Sequence, residues 1–206
     1  MTTHVQVRAS DNVPSAEKLQ EIQEHSVLDH RGGSHTLRSI WNGEKATSRV
    51  LIIFIRHFYC GLCQDYVQTL SESITPESLP ADASVVIIGC GDPGLIDGYA
   101  GPMGCRFPIY ADPSRRAFAA LGLVETLDAG TVAPAYQKRS IAQQAFAGFL
   151  RAIGSIPRGL AHKGGDMRQV GGEFLFQDGA VKWCHRMTTT RDHTEVPELM
   201  DLLGLS

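Results

Sequence analysis

Two cysteines spaced C-x-x-C, Cys60-Gly61-Leu62-Cys63, follow the apolar run Val50-Leu51-Ile52-Ile53-Phe54-Ile55. The order reads as a buried strand running into a helix whose first turn carries both thiols. A helix N-terminus presents unpaired N–H groups and partial positive charge, which stabilise a thiolate. The thiolate is the form that attacks a disulfide or a peroxide. Strand, paired thiols and helix together point to thiol redox chemistry. A structural zinc site needs a second ligand pair at suitable spacing, and Cys90, Cys105 and Cys184 stand alone. Only Cys184-His185 sets two ligand types side by side, and neighbours on a strand face opposite ways.

Arg56 and His57 flank the cysteine loop and are candidates to lower a thiol pKa or donate a proton. Successive side chains after a strand alternate sides, so one of the two is expected to face solvent. Either cysteine can attack, and Cys60 is favoured because the first helical position is the more accessible. Attack on a peroxide gives a sulfenic acid, which the second thiol condenses into a disulfide. An external thiol then resets that disulfide by exchange. Cys90 and Cys184 sit at or within apolar strands and read as small buried hydrophobes. Cys105 is a loop thiol. In the cluster Arg186…Arg191-Asp192-His193, Asp192 reads as a helix N-cap and Arg191 as a source of positive potential near the thiols. Arg151, Arg158, His162, Lys163 and Arg168 form a basic stretch that reads as a solvated face open to an anionic substrate.

The elements that must position these residues alternate. Residues 1 to 14 are polar and expected to be poorly ordered. Ser15 opens a capping signal before a short helix, and Ser34 to Lys45 reads as a strand or turn. Val50–Ile55 is a strand, Cys60 to Ile74 a helix with Tyr66, Val67, Leu70 and Ile74 on one stripe, and Ser84–Gly89 a strand buried on both faces. A short helix over Leu95–Ala100, a strand over Phe107–Tyr110 and a helix over Asp112–Leu121 follow. This order implies parallel strands with crossover helices. A segment over about 124–165, with a helix over Tyr136–Ile153, interrupts the rhythm as an insertion. Glu173–Phe176 and Ala180–His185, joined through Asp178-Gly179, form a hairpin, and a last helix starts near Asp192.

The chain has 206 residues, 43% hydrophobic, with a net charge of −3. That suits one ordinary globular domain and argues against a nucleic-acid surface, which needs a clustered basic face. No apolar stretch approaches a membrane span. The first residues lack an apolar signal core, and five cysteines at irregular spacing make no disulfide framework. A reducing cytoplasm is the expected compartment. No glycine fingerprint for a flavin or nicotinamide is visible, so no cofactor is expected.

With these elements placed, the chain resembles the alkyl-hydroperoxide-reductase/thiol-specific-antioxidant superfamily, in its peroxiredoxin-like branch. The resemblance rests on Arg56-His57-Phe58-Tyr59-Cys60-Gly61-Leu62-Cys63, Ile88-Gly89-Cys90-Gly91 and Phe107-Pro108-Ile109-Tyr110-Ala111-Asp112-Pro113. Gly171-Gly172-Glu173-Phe174-Leu175-Phe176 and Trp183–His193 complete the ordered set. It implies an α/β thioredoxin-like fold: a central mixed sheet flanked by helices, an N-terminal extension over 1–36, and a domain over 37–206. It also implies a CxxC dithiol that reduces a hydroperoxide or an organic or lipid peroxide. Thioredoxin or glutathione would be the thiol donor, and a homodimer is possible. Aligned on peroxiredoxin spacing, Cys63 falls at the peroxidatic cysteine, Cys60 at a threonine, Arg56 at a proline and Gly171 at a helper arginine. Arg191 is similar in place to a second peroxiredoxin arginine. Two alternatives stay beside this reading: a tailoring enzyme acting on a larger organic molecule without the thiols, and a non-catalytic interaction module.

Overall fold

The computed structural model describes residues 11–44 and 46–205. In chain order its elements are α1 (Ala16–Ile22), β1 (Ser26–Leu28), β2 (Ser34–Thr36), α2 (Leu37–Asn42), β3 (Arg49–Phe54), α3 (Gly61–Ser73) and β4 (Ala83–Gly89). Then come α4 (Ile96–Ala100), β5 (Ile109–Ala111), α5 (Arg116–Ala120), α6 (Ile141–Gly154), β6 (Gly172–Gln177), β7 (Ala180–Arg186) and α7 (Val196–Leu203). The strands form one seven-stranded sheet in the order β2-β1-β5-β4-β3-β6-β7. β3 pairs in parallel with β4 and antiparallel with β6, with Phe54 opposite Ile88 on one side and Gly172 on the other. The mixed α/β sheet flanked by helices is the expected architecture.

The apolar run of β3 is buried from Val50 to Phe54 because helices cover both faces. Alternation sorts it: Leu51 and Ile53 join the core with Val67, Leu70, Tyr99 and Leu199, while Val50, Ile52 and Phe54 join Leu37, Trp41, Phe118 and Phe174. Phe54 meets Phe118 and Phe174 edge-on at 5.0 and 5.7 Å, contacts worth about 0.5–1.5 kcal/mol each beyond burial. The same alternation turns Glu173 of β6 toward the α3 and α7 face, together with Leu175. The hairpin between β6 and β7 turns at Asp178 and Gly179, both at positive φ (50° and 79°), as the expected tight turn requires.

Several boundaries differ from expectation for identifiable reasons. The polar start falls partly on residues 1–10, outside the described residues. From Asp11 the chain is tied to β7, since the Asp11 carboxylate accepts the Arg186 N–H at 2.9 Å. Ser34–Thr36 is a strand, but Thr36 then caps α2. The helix expected from Tyr136 begins at Ile141, because Ser140 and Gln143 form a reciprocal capping box there. The last helix begins at Val196 rather than near Asp192. Asp192 does not cap it: its carboxylate accepts the Thr188 N–H and hydroxyl at 2.8 and 2.7 Å, and Pro197 lies in the helix's first turn.

Candidate active site

The chain leaves β3 and curls through residues 55–59 into α3. Cys60 is the N-cap of that helix, so its sulfur takes the place of the usual capping oxygen and accepts the Cys63 N–H at 3.3 Å. Cys63, one turn in, receives the Arg56 N–H on its own sulfur at 3.4 Å. The Arg56 guanidinium reaches Cys60 Sγ through Nη1 at 3.4 Å. Its other arms donate to the carbonyls of Met167 (2.5 Å) and Gln169 (3.3 Å), which aim the fork at the sulfur. Cys90 secures the loop from beneath by donating its thiol to the Arg56 carbonyl at 2.8 Å. Burial pushes the Cys90 pKa up to about 12, so it stays a thiol.

The electrostatics separate the two cysteines. The hydrogen bond from the Cys63 thiol, reinforced by the charges of Arg56 and His57, outweighs burial and holds Cys60 well below the usual thiol range. Burial, then the neighbouring Cys60, hold Cys63 well above it. One sulfur is set up as a thiolate and its partner as a thiol. His57 does not face solvent as strand alternation suggested. The backbone has left the strand by then, and both His57 and Arg56 are buried. Burial depresses the His57 pKa, although Cys60 pulls it the other way.

Of the residues singled out from sequence, the structure brings Cys60, Cys63, Arg56 and His57 together and does not bring Arg191 to them. The Arg191 guanidinium donates to the carbonyls of Ala129 and Gly130 at 2.5 and 2.7 Å, which anchors that loop. The position of the family's helper arginine is also closed to a side chain: a Cβ on Gly171 would lie 1.7 Å from the Phe54 carbonyl oxygen.

Two groups that sequence reasoning passed over complete the arrangement. His193 Nε2 lies 3.6 Å from Cys63 Sγ, and its Nδ1 lies 2.6 Å from Glu173 Oε1, both side chains being sealed from solvent. The imidazole stacks on Tyr66 at 4.3 Å and 5°, and the Thr194 hydroxyl donates to the second Glu173 oxygen at 3.1 Å. In a neutral imidazole, Glu173 at Nδ1 favours the proton on that nitrogen and leaves Nε2 as the acceptor facing the sulfur. The line Glu173–His193–Cys63 can therefore take a proton from the buried thiol. A carboxylate within the apolar strand Gly172–Phe176 was a readable signal for Glu173. His193 stands out in the sequence only as a member of the polar cluster that ends the Trp183–His193 block, with no role attached to it.

Helix α6 covers the thiols from outside. Gly61 abuts Gln144 and Gly148 abuts the Tyr59 carbonyl, where a Cβ would come to 2.6 and 2.7 Å respectively. Buried Asp65 ties α3 to this cover by accepting from Arg139 Nε and Gln144 Nε2, both at 2.8 Å. Cys60 is consequently 4% exposed and Cys63 0%. Among the described residues no three His, Cys, Asp or Glu side chains converge as a metal site requires, and no helix is long and apolar enough to cross a membrane.

The sequence profile of the AhpC/TSA antioxidant enzyme family matches residues 69–189. A Peroxiredoxin-like 2C of Takifugu rubripes is 30% identical over 196 residues, spanning 91% of this chain and 82% of the relative. The chain belongs to the AhpC/TSA antioxidant-enzyme family. Among solved structures, a peroxiredoxin-like protein from Aquifex aeolicus superposes with a TM-score of 0.56 at 11% identity, over 97% of this chain and 87% of that one. The Mycobacterium tuberculosis dsbF structure does so at 0.52 and 10% identity, over 95% and 100%. These likenesses carry the thioredoxin-like fold. Membership makes the chain a peroxiredoxin-like oxidoreductase, and the profile match begins beyond the thiol pair, at residue 69.

Proposed function

We propose that this AhpC/TSA protein reduces an organic hydroperoxide, with Cys60 as the attacking thiolate and Cys63 as the resolving thiol. The observation that carries the reading is the asymmetry of the pair: Cys60 sulfur faces a guanidinium nitrogen at 3.4 Å, while Cys63 sulfur faces an imidazole nitrogen at 3.6 Å. Cys60 Sγ attacks the terminal oxygen of ROOH, and the O–O bond breaks. The alkoxide leaves and takes a proton from solvent as ROH, and Cys60 becomes a sulfenic acid. The Cys63 thiol then passes its proton to His193 Nε2, an imidazole held by Glu173. Cys63 Sγ attacks Cys60 Sγ, the S–O bond breaks, and hydroxide departs with that proton as water. A Cys60–Cys63 disulfide results. An external thiol of the thioredoxin or glutathione kind restores the dithiol by exchange.

Cys60 is almost covered, so α6 is the element a substrate or a reductant has to displace or pass beneath. The test is to add one equivalent of cumene hydroperoxide to the fully reduced protein and map every cysteine by peptide mass spectrometry. A Cys60–Cys63 disulfide that forms within seconds, ahead of any change at Cys90, Cys105 or Cys184, is the expected result. Both thiols still reduced after many minutes would remove peroxide reduction from consideration.

A further inference from the structure

Helix α6 is amphipathic with its faces exchanged. Gln144 and Gly148, with Ser155 at its end, are buried against the body of the chain. The side that points away carries Phe146, Phe149, Leu150 and Ile153, exposed at 62%, 60%, 50% and 44%. The spacing i, i+3, i+4, i+7 puts these four on one stripe, opposite Gln144 and Gly148. Ile156, just past the helix, is 60% exposed as well. A surface helix ordinarily turns such a stripe inward. Close approach to the thiol loop prevents that here: a Cβ on Gly148 would lie 2.7 Å from the Tyr59 carbonyl, so no apolar side chain fits at that position. Gln144 is committed to Asp65. At about 60% of roughly 150–250 Å² each, the two phenylalanines alone expose about 180–300 Å². With Leu150, Ile153 and Ile156 the stripe reaches the several hundred Å² at which an exposed apolar patch marks an interaction site.

Charge distinguishes the occupants. From Ala129 to Gly165 the chain has no Asp or Glu but has Lys138, Arg139, Arg151, Arg158 and Lys163, in a protein whose net charge is −3. Lys138 and Arg139, just ahead of α6, are paired with Glu72 and Asp65, and Lys163 with Asp92. Arg151 lies half-buried on the inner side, and Arg158, two residues past Ile156, is exposed. Among the described residues no carboxylate forms an ion pair with Arg158. We infer that α6 docks on the surface of an anionic lipid bilayer, with Phe146, Phe149, Leu150, Ile153 and Ile156 among the upper acyl carbons and Arg158 on the headgroup phosphates. A helix with a Phe/Leu stripe and basic neighbours lies flat in the interface, its stripe buried about 5–10 Å. A second copy of the chain fits this face less well. A stable contact covers about 800 Å² on each partner, more than the stripe supplies, and a two-fold axis would bring the acid-free segment up against its own like charges. The inner side of the same helix covers the thiols, so docking sets the Cys60 loop one helix diameter, roughly 10–12 Å, from the lipid. On the peroxide reading above, hydroperoxides dissolved in the bilayer are the ones presented to Cys60.

The experiment mixes the full chain with sucrose-loaded vesicles of phosphatidylcholine, alone or with phosphatidylglycerol, and measures the bound fraction by co-sedimentation, with light scattering for the oligomeric state in solution. Saturable binding to the phosphatidylglycerol vesicles, and weaker binding to phosphatidylcholine alone, is expected. Phe146→Ser and Phe149→Ser should each weaken it roughly tenfold, and Phe149→Leu far less. Arg158→Gln should cost about fivefold on phosphatidylglycerol vesicles and leave phosphatidylcholine binding unchanged. Because both rings are largely exposed, the serine variants should melt within about 2 °C of wild type. A clearly lower melting temperature would make the stripe a packed part of the fold and overturn the proposal. No binding to either vesicle, equal binding to both, or binding indifferent to the serine variants overturns it too. So does a concentration-dependent dimer that Phe149→Ser dissociates, which would assign the stripe to a second copy. If vesicles bind as stated while cumene hydroperoxide leaves Cys60 and Cys63 reduced, the lipid surface stands and the peroxide reading falls. If cumene hydroperoxide oxidises the pair while neither vesicle binds, the opposite holds.

Discussion

Replacing Arg56 by methionine removes the charge beside Cys60 while keeping most of the stem's volume in a buried position. Arg56 Nη1 sits 3.4 Å from Cys60 Sγ. Two unit charges at that distance attract by about 5 kcal/mol at an effective dielectric constant of about 20. Desolvation of both groups offsets much of this, and hydrogen bonds to charged groups retain a net of about 1.5–3 kcal/mol. At 1.36 kcal/mol per factor of ten, the ionisation constant of the Cys60 thiol should fall by roughly ten- to 150-fold, moving the pH at which its thiolate forms upward. The assay is the rate of Cys60 carbamidomethylation by iodoacetamide across pH 5–9, read by mass spectrometry of the Cys60 peptide. Arg56 also holds the carbonyls of Met167 and Gln169, so loosening of that segment could mimic an electrostatic effect. Arg56→Lys separates the two: it keeps the charge but cannot hold all three partners, and should retain most of the wild-type rate. An Arg56→Met protein that alkylates within about twofold of wild type throughout would show that the guanidinium does not sustain the thiolate, and the assignment of Cys60 as attacker would lose its basis.

Three further outcomes follow from the same geometry. His193→Phe keeps the stack on Tyr66 but leaves the Glu173 carboxylate buried without its partner, a loss of about 3–5 kcal/mol, or roughly 6–20 °C in Tm for a chain of this size. It should also leave sulfenic acid formation at Cys60 intact while slowing disulfide closure, which dimedone trapping after one turnover measures. Because burial depresses the His57 pKa in the fold, the unfolded chain takes up that proton first, so stability falls as pH drops below about 6.5. His57→Phe should remove this contribution, at most about 1.4 kcal/mol per pH unit, in paired urea titrations at pH 7 and pH 5. Gly148→Ala puts a Cβ 2.7 Å from the Tyr59 carbonyl and pushes α6 off the thiol loop, while the helix itself gains about 1 kcal/mol in propensity. Cys60 should then alkylate several-fold faster with little change in melting temperature, and an unchanged rate would show that α6 is not the barrier.

How far the site was legible depended on the range of the interactions involved. Arg56, His57, Cys60 and Cys63 lie within eight consecutive residues that run from the end of a strand into a helix, and their proximity was readable because the local order dictates it. The placement of His57 was not, since period-two alternation ends where the strand does. Arg191 looked suited to the site by its place in a thioredoxin-like fold, yet the carbonyls of Ala129 and Gly130 claim it. Those carbonyls belong to the irregular stretch that precedes α6, which carries no periodic pattern. Asp192 looked like a helix cap because an N-cap and an Asx-type loop closure use the same short carboxylate.

By itself the sequence determined the layers: apolar runs for the buried strands, helical stripes, the Asp178-Gly179 hairpin turn and the thiol pair at a helix start. Each of these follows from backbone sterics and from which residues within a few positions of one another avoid water. Only the tertiary structure decided which distant groups meet the thiols. His193 lies 130 positions from Cys63 in the chain and Glu173 lies 20 from His193. Their meeting depends on β6 pairing with β3 in one register, because a slip of one residue would turn Glu173 to the opposite face.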